Sequence, residues 1–205
     1  MQPLTPKSLV DVLVVIGVVF GAMLYSSQSD YSENFSELGL VLLPQPQDID
    51  LNELKTSGGD NFSRESLSGH WSLIFFGFTS CPDICPITMA AMAAAERLLD
   101  EPNAFQWIMV TVDPKRDTPA RLSKYVKGFS EHFIGVTGTP ERIRSLSDSL
   151  GISQVKKYTS ATDYGVDHSG HIVIVNPRGQ HQGYIKTPHS ADTMALAIDA
   201  LKRLG

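Results

Sequence analysis

Continuous apolar runs alternate with segments of helical period along most of this chain. The first strong run covers residues 71–78 (WSLIFFGF), and the second covers residues 105–112 (FQWIMVTV). Each run has the length of a strand, and unbroken apolar character is typical of strands that are buried on both faces of a sheet. Residues 86–99 lie between the runs, are rich in Ala and Met, and have helical periodicity. The pattern predicts a strand–helix–strand unit.

The alternation continues after the second run. Two Thr-Pro pairs, each an N-cap residue followed by a proline suited to the first helical position, mark the starts of further helices. A turn with the sequence Pro-Arg-Gly joins two apolar segments and predicts a β-hairpin. The remaining predicted elements are a helix from Pro119 to about 129, a strand over 133–136, a helix from Pro140 to 151, hairpin strands over 171–176 and 182–186, and a helix over 191–204 capped by Ser190. This order predicts an α/β fold with a mixed central sheet and helices on both faces, compatible with the thioredoxin fold.

An apolar segment near the start of the chain is typical of a sequence that enters a membrane. Residues 8–25 read SLVDVLVVIGVVFGAMLY, and only Asp11 interrupts them. The unbroken part is shorter than the ~20 residues of a full span, so it fits either the apolar region of a cleaved signal peptide or an uncleaved anchor with Asp11 at the interface. The polar residues that follow contain no A-x-A cleavage site, which favours a transmembrane anchor.

Charges around this segment predict its orientation. Lys7 precedes it, acidic residues follow it, and the next cation is Lys55. The positive-inside rule therefore places the C-terminal part outside the cytoplasm. Because no arginine precedes Arg64, a mitochondrial transit peptide is not indicated, and we expect a single-pass protein of the bacterial inner membrane with a periplasmic domain. The predicted organisation is a cytoplasmic N-terminus (1–7), an anchor (8–25), a polar tether (26–48) and a globular domain (49–205).

Composition narrows the classes of function. A chain of 205 residues accommodates one domain besides the anchor, and a net charge of −5 gives no support to nucleic-acid binding. The chain has 2 cysteines. In an exported domain such a pair forms a structural disulfide, a redox pair or part of a metal site, and its spacing must distinguish these.

The two cysteines, Cys81 and Cys85, follow the first predicted strand in the sequence TSCPDICP. Ligand sites of open α/β sheets lie beyond the carboxyl ends of the strands. Pro86 is incompatible with a regular helix through both cysteines, so we expect an irregular turn with the helix beginning near Pro86. Both sulfurs then lie at or before a helix N-terminus, where the dipole is expected to lower the pKa of one or both thiols.

Two neighbouring thiolates can exchange a disulfide or hold a soft metal such as Cu(I) or Zn(II). A structural disulfide is the alternative, although closure of so short a loop stabilises a protein least. Two sulfurs are a sparse metal site, so a third ligand is expected. His168 is the candidate, because in a thioredoxin-like sheet the loop before the strand 171–176 lies beside the cysteine turn; as an isolated residue, it is more often a surface histidine. Imidazole binds both Cu(I) and Cu(II).

Other residues of metal-binding type have simpler interpretations. His181 and His189 flank the second hairpin strand and are expected to be solvated. Met89 and Met92 recur at helical spacing, which is typical of a core. The charged segment, residues 113–119 (DPKRDTP), is either a capped turn or a partner-binding loop.

Three motifs together resemble the SCO/SenC family: residues 76–86 (FGFTSCPDICP), the charged segment, and residues 166–169 (VDHS). The resemblance implies a thioredoxin-like domain on one N-terminal anchor, and copper bound by Cys81, Cys85 and His168. It also implies a role in maturing the copper centre of cytochrome c oxidase. The implied partners are the copper-site subunit of that oxidase, or a similar copper client, and copper donor proteins.

Three classes of function remain open, and experiments must distinguish them. The first is a copper metallochaperone. The second is a thiol–disulfide oxidoreductase in which Cys81 and Cys85 reduce the copper-site cysteines of a client; the CxxxC spacing, and Ser169 where a thioredoxin has proline, count against a general thioredoxin. The third is a structural membrane scaffold, for which the cysteines have no role.

Overall fold

The computed structural model describes residues 13–21, 23, 35–101, 104–158, 164–168 and 170–204, without the side chains of 155–158 and 164–168. Its contacts divide the chain into two units, residues 1–37 and 38–205. In the first unit, residues 13–21 and 23 are helical and exposed. Among the described residues, no helix combines the length and the apolar character that a membrane span requires. The rest of the predicted anchor, residues 8–12, 22, 24 and 25, lies outside the described residues.

The described part of the second unit contains ten strands and five helices. The strands are β1 (Leu40–Asp48), β2 (Leu54–Thr56), β3 (Asn61–Phe62), β4 (Trp71–Gly77), β5 (Phe105–Thr111), β6 (Ile134–Thr137), β7 (Gln154–Tyr158), β8 (Tyr164–His168), β9 (Ile172–Val175) and β10 (Gln180–Ile185). The helices are α1 (Arg64–Leu67), α2 (Ile84–Leu98), α3 (Pro119–Lys127), α4 (Pro140–Ser149) and α5 (Ala191–Lys202). Every element that the sequence predicts in the globular domain is present, with its ends within about two residues of the prediction.

Eight of the strands form one mixed sheet in the order β1-β10-β9-β4-β5-β6-β2-β3. The central strands β4, β5 and β6 are parallel neighbours, and the other adjacent pairs are antiparallel. All seven residues of β4 are buried, as expected for a central strand with both faces covered. Strands β7 and β8 form a separate two-stranded ribbon.

Helices cover both faces of the sheet. On one face, α2 packs against α5, and a Cβ added to Gly77 of β4 would lie 3.1 Å from Sγ of Cys85 in α2. Gly135 of β6 points to the same side and faces α3. Gly138 follows β6 on the opposite side of the pleat, and a Cβ there would lie 3.7 Å from Ile143 of α4. The predicted α/β architecture with a mixed sheet is therefore confirmed.

The predicted tether over residues 26–48 is wrong at its C-terminal end. The last nine residues of that range, Leu40–Asp48, form β1, which pairs antiparallel with β10 at one edge of the sheet. The two prolines of this segment fall where the register shifts, between Leu42 and Gln47. An edge strand tolerates such an irregular, proline-containing stretch because a missing N–H there breaks no central ladder bond. The polar composition and the two prolines therefore led to the prediction of a tether where the domain has a strand.

Replacing Leu40 by alanine tests whether β1 belongs to the core. The Leu40 side chain is 2% exposed, so we expect Leu40→Ala to lower the free energy of unfolding by ~2–3 kcal/mol. Denaturant unfolding of the full chain measures the change. Gln45→Ala alters an exposed position of the same strand and should change stability by less than ~0.5 kcal/mol. If both variants match the unmodified chain, residues 40–48 act only as a tether.

Candidate metal centre

The two cysteines lie where β4 passes into α2, as the sequence predicts. Cys81 occupies the turn after β4, and its N–H donates to the Phe78 carbonyl at 3.2 Å. Cys85 is the second residue of α2, which begins at Ile84 instead of near Pro86. Pro86 is accommodated because it is the third residue of the helix, where an N–H has no intrahelical acceptor to lose. The prediction that both sulfurs lie at or before a helix N-terminus is confirmed.

The two thiols are free and differ in exposure. Cys81 is partly exposed, whereas Cys85, four residues later in the same turn, is 0% exposed. Burial raises the pKa of Cys85 far above its usual value, and this effect exceeds that of a backbone hydrogen bond with Phe78, which lowers the pKa. Cys81 and Asp117 raise the pKa of Cys85 further. The expectation that the helix N-terminus lowers this pKa is therefore wrong for Cys85, because the cost of desolvating a thiolate dominates.

A buried carboxylate of the charged segment holds the turn that leads to Cys81. Asp117 is 1% exposed, and its carboxylate accepts hydrogen bonds from the Thr79 N–H (3.0 Å), the Thr79 Oγ1 (2.5 Å) and the Thr111 Oγ1 (2.6 Å). Thr111 is the last residue of β5. Asp117 therefore ties the cysteine turn to the neighbouring parallel strand, and its three donors compensate the burial of its charge.

Two arginines make further contacts with the same turn. Arg121 of α3 donates from Nη2 to the Ser80 Oγ at 2.9 Å. The Arg116 guanidinium lies over the Phe78 ring, with 5.8 Å from Cζ to the ring centroid, and pairs with the buried carboxylate of Asp113. The contact of Arg116, together with the Thr118 side chain that caps α3, supports the first interpretation of the charged segment, a capped turn with a structural task. Its position against the cysteine turn was not predicted, since both contacts join residues far apart in the chain.

His168 ends β8, where it pairs with Gln154 of β7, and does not lie in the predicted loop. Gly170, two residues later, lies against the start of α2, because a Cβ added there would be 3.6 Å from Cγ1 of Ile84. The backbone that follows His168 therefore passes beside the helical turn that carries Cys85. The described side chains, which do not include that of His168, contain no group of three metal-binding residues. The structure thus places the two cysteines in one turn, and it places Gly170, two residues after the third candidate, beside the start of α2.

Expectations for the other histidines and methionines have mixed outcomes. His181 was expected in solvent but is 2% exposed, with its ring edge-on to that of Tyr184 at a centroid distance of 4.7 Å. His189 is partly buried, and its Nε2 is 2.7 Å from a backbone carbonyl oxygen. Burial lowers the pKa of both histidines. Met89 and Met92 are each 0% exposed, which confirms them as core residues.

A family model covers most of the chain: the model of SCO1/SenC matches residues 51–203. The chain belongs to the SCO1/SenC family. A Stutzerimonas stutzeri protein, named as a candidate copper-binding protein, is 37% identical to it over 180 residues, which are 85% of this chain and 83% of the relative. The structure of Arabidopsis thaliana ScoI with copper bound matches with a TM-score of 0.68 at 30% identity, over 78% of this chain and 98% of that one. BsSco, described as a member of the Sco family of cytochrome c oxidase assembly proteins with a disulfide switch, matches with a TM-score of 0.62 at 25% identity, over 79% and 97%.

Membership of the SCO1/SenC family confirms the resemblance that the three motifs indicate. The similar Sco structures, together with the mixed sheet and its helices, establish the α/β thioredoxin-like fold. In this SCO1/SenC protein the cysteine turn, α2 and the charged segment form one site at the carboxyl end of β4 and β5.

Removal of the Asp117 carboxylate should loosen the cysteine turn. Asp117→Ala leaves two donors of the partly buried Thr79 and one of the buried Thr111 without their acceptor, and the loss of a buried partner costs ~1–3 kcal/mol. We expect the free energy of unfolding to fall by ~3 kcal/mol or more, as measured by denaturant unfolding. Asp148→Ala removes an exposed carboxylate from α4 and serves as the control, with little expected effect. Equal stability of the two variants would show that Asp117 does not hold the turn.

The two thiols should react at different rates. Iodoacetamide alkylates thiolates, and Cys81 is partly exposed whereas Cys85 is buried with a raised pKa. We expect the reduced chain at pH 8 to be modified at Cys81 at least ~10-fold faster than at Cys85, as measured by peptide mass spectrometry. Alkylation in denaturant should abolish the difference. Equal rates in the native protein would contradict the burial of Cys85.

Proposed function

We propose that this SCO1/SenC protein binds one copper ion through Cys81, Cys85 and His168 and delivers it to a copper-requiring client. The observation that carries the proposal is the pair of free thiols, four residues apart, in the turn that joins the carboxyl end of β4 to α2. The copper-bound structure of A. thaliana ScoI, whose fold this chain shares, supports copper as the metal. Copper is here the cargo of the protein.

The donor set fits this cargo. Thiolates are soft ligands that favour Cu(I), and a histidine nitrogen extends the set to Cu(II). Metal binding displaces thiol protons. Because burial raises the pKa of Cys85, this thiol loses its proton only when a metal ion binds to the sulfur. The ligands are also unequal in access: Cys85 is enclosed, while the partly exposed Cys81 offers the side from which a client thiolate can approach.

The proposed client is the copper-site subunit of cytochrome c oxidase or a similar copper protein, with a copper donor protein upstream. The description of BsSco as a member of a family of cytochrome c oxidase assembly proteins supports this choice. The apolar segment 8–25 is the proposed anchor in a bacterial inner membrane, with the thioredoxin-like domain in the periplasm.

The presence of two free thiols in one turn favours a second function, reduction of the oxidised copper-site cysteines of a client. Cys81 attacks the client disulfide, which forms a mixed disulfide and releases one client thiol. Cys85 then attacks the Cys81 sulfur and releases the second client thiol, so two electrons and two protons pass to the client and Cys81–Cys85 becomes a disulfide. The disulfide switch ascribed to BsSco supports this chemistry. Reduction of an oxidised copper-site peptide, lost in Cys81→Ser, would support the function; absence of any reduction would exclude it.

Copper titration of the reduced full chain tests the proposed ligands. We expect one copper per chain in the unmodified protein, and a loss of affinity of at least ~100-fold in Cys81→Ser, Cys85→Ser and His168→Ala, because each removes one of three ligands. Competition with a chelator of known affinity measures the change. His132→Ala is the matched control, since this side chain is 70% exposed and bonds only to Glu96 among the described residues.

Two results would contradict the proposal. Affinity unchanged in both cysteine variants would mean that copper binds elsewhere. Affinity unchanged in His168→Ala alone would leave the cysteine pair as ligands and remove the histidine from the set.

A further inference from the structure

Among the described residues of the thioredoxin-like domain, the large apolar side chains that remain exposed are concentrated at two helices that pack against each other. Ile84, Ile87 and Leu98 of α2 are 37%, 56% and 54% exposed. The others are Leu196 of α5 and Leu204, just after the end of α5. Single exposed apolar side chains are ordinary, but a cluster of them marks a surface that contacts another molecule.

The exposed apolar residues of α2 belong to a heptad pattern. Two alanines of intermediate exposure lie between them, so that apolar residues recur at alternating intervals of three and four. This spacing places all of them on one narrow band of the helix surface, here called the apolar stripe. The apolar stripe consists of Ile84, Ile87, Ala91, Ala94 and Leu98. None of the five is buried, so the stripe is a second apolar face of α2, distinct from the buried face that packs on the sheet.

Opposite charges stand at the two ends of one flank of the apolar stripe. Asp83 directly precedes Ile84, Arg97 directly precedes Leu98, and both charged residues are exposed. They therefore occupy the same position of the heptad. The Asp83 side chain makes no capping hydrogen bond to α2, and neither residue belongs to an ion pair among the described side chains. Both charges are available to a partner.

A second copy of α2, running antiparallel, matches this arrangement of charges. In an antiparallel pair each flank meets the same flank of the other helix, so Asp83 of one copy lies opposite Arg97 of the other, and two-fold symmetry forms this pair twice. In a parallel pair this flank would instead meet the flank of Thr88 and Ala95, which are buried and uncharged. The small side chain of Ala91, at the centre of the stripe, allows the two helix axes to approach closely.

We propose that the apolar stripe is the contact surface of a symmetric dimer, in which α2 packs antiparallel against α2 of a second copy of this chain. This inference goes beyond copper binding and does not depend on it. Because α2 has 15 residues and a helix rises ~1.5 Å per residue, the two cysteine turns lie at opposite ends of the contact. Each cysteine turn then lies beside the C-terminal end of the other copy's α2, so the second copy forms part of the surface around each site.

Sedimentation of the reduced, copper-free full chain in detergent, over a range of concentrations, measures the dissociation constant of the dimer. Ile87→Asp places a charge in the stripe at a position exposed in the single chain. Leu204→Asp is the matched control, because that leucine is 43% exposed and lines a cavity with Trp71, at the opposite end of β4 from the cysteine turn. Denaturant unfolding at low concentration verifies that each variant is folded.

We expect the unmodified chain and Leu204→Asp to form dimers with the same dissociation constant. Ile87→Asp should weaken the dimer at least ~100-fold, because an unpaired carboxylate would be buried in the contact. Asp83→Arg and Arg97→Asp should each weaken it ~10-fold or more, since either change replaces both attractive pairs by repulsive ones. The double variant that exchanges the two charges should regain most of the affinity, because the pairs attract again.

Three results would overturn the inference. The first is an unmodified chain that stays monomeric at every concentration. The second is a dimer whose dissociation constant is unchanged in Ile87→Asp, because the copies would then associate through another surface. The third is a double variant that binds no better than the two single charge variants, because Asp83 and Arg97 would then not face each other. No copper is present in these measurements, so their outcome is independent of the copper titration that tests the proposed function.

Discussion

The buried carboxylate of Asp117 is the interaction on which the rest of the site depends. The turn after β4 contributes few backbone bonds of its own, and the carboxylate supplies the acceptor for both the N–H and the hydroxyl of Thr79. Since the same carboxylate also bonds to Thr111 at the end of β5, the position of Cys81 is fixed against two central strands. The sheet thereby gives a short turn the rigidity that a pair of metal-binding thiols requires.

Because Cys85 is buried and Cys81 is partly exposed, the two thiols have different chemical properties. The low-dielectric surroundings that raise the pKa of Cys85 also strengthen any bond between its thiolate and a cation. In the proposed function, the accessible sulfur is the one that a client or a donor protein reaches first. The two proposed functions, copper binding and disulfide exchange, both depend on this difference in burial between the thiols. Both functions therefore fit one site, and different measurements are needed to distinguish them.

Most of the fold could be predicted from the sequence, because β4, β5 and the helices α2 to α5 carry strong periodicity and clear caps. Strand β1 was missed, since its ladder with β10 depends on partners distant in sequence and its prolines resemble a tether. The cysteine pair was found from its place after a strand. The direction in which the Cys85 pKa shifts was not predicted, because reasoning from the helix dipole omits burial, which is a property of the tertiary structure. The contact of Asp117 with Thr79 spans 38 residues and has no signature in local spacing.

The central claim is that one copper ion is held by two sulfurs and one histidine nitrogen. X-ray absorption spectroscopy of the copper-loaded chain tests it most directly, because the fine structure counts sulfur and nitrogen scatterers around the metal. The account predicts two sulfur scatterers together with one imidazole nitrogen, and loss of the imidazole contribution in His168→Ala. A copper environment made only of nitrogen and oxygen atoms, unchanged in Cys81→Ser and Cys85→Ser, would contradict it.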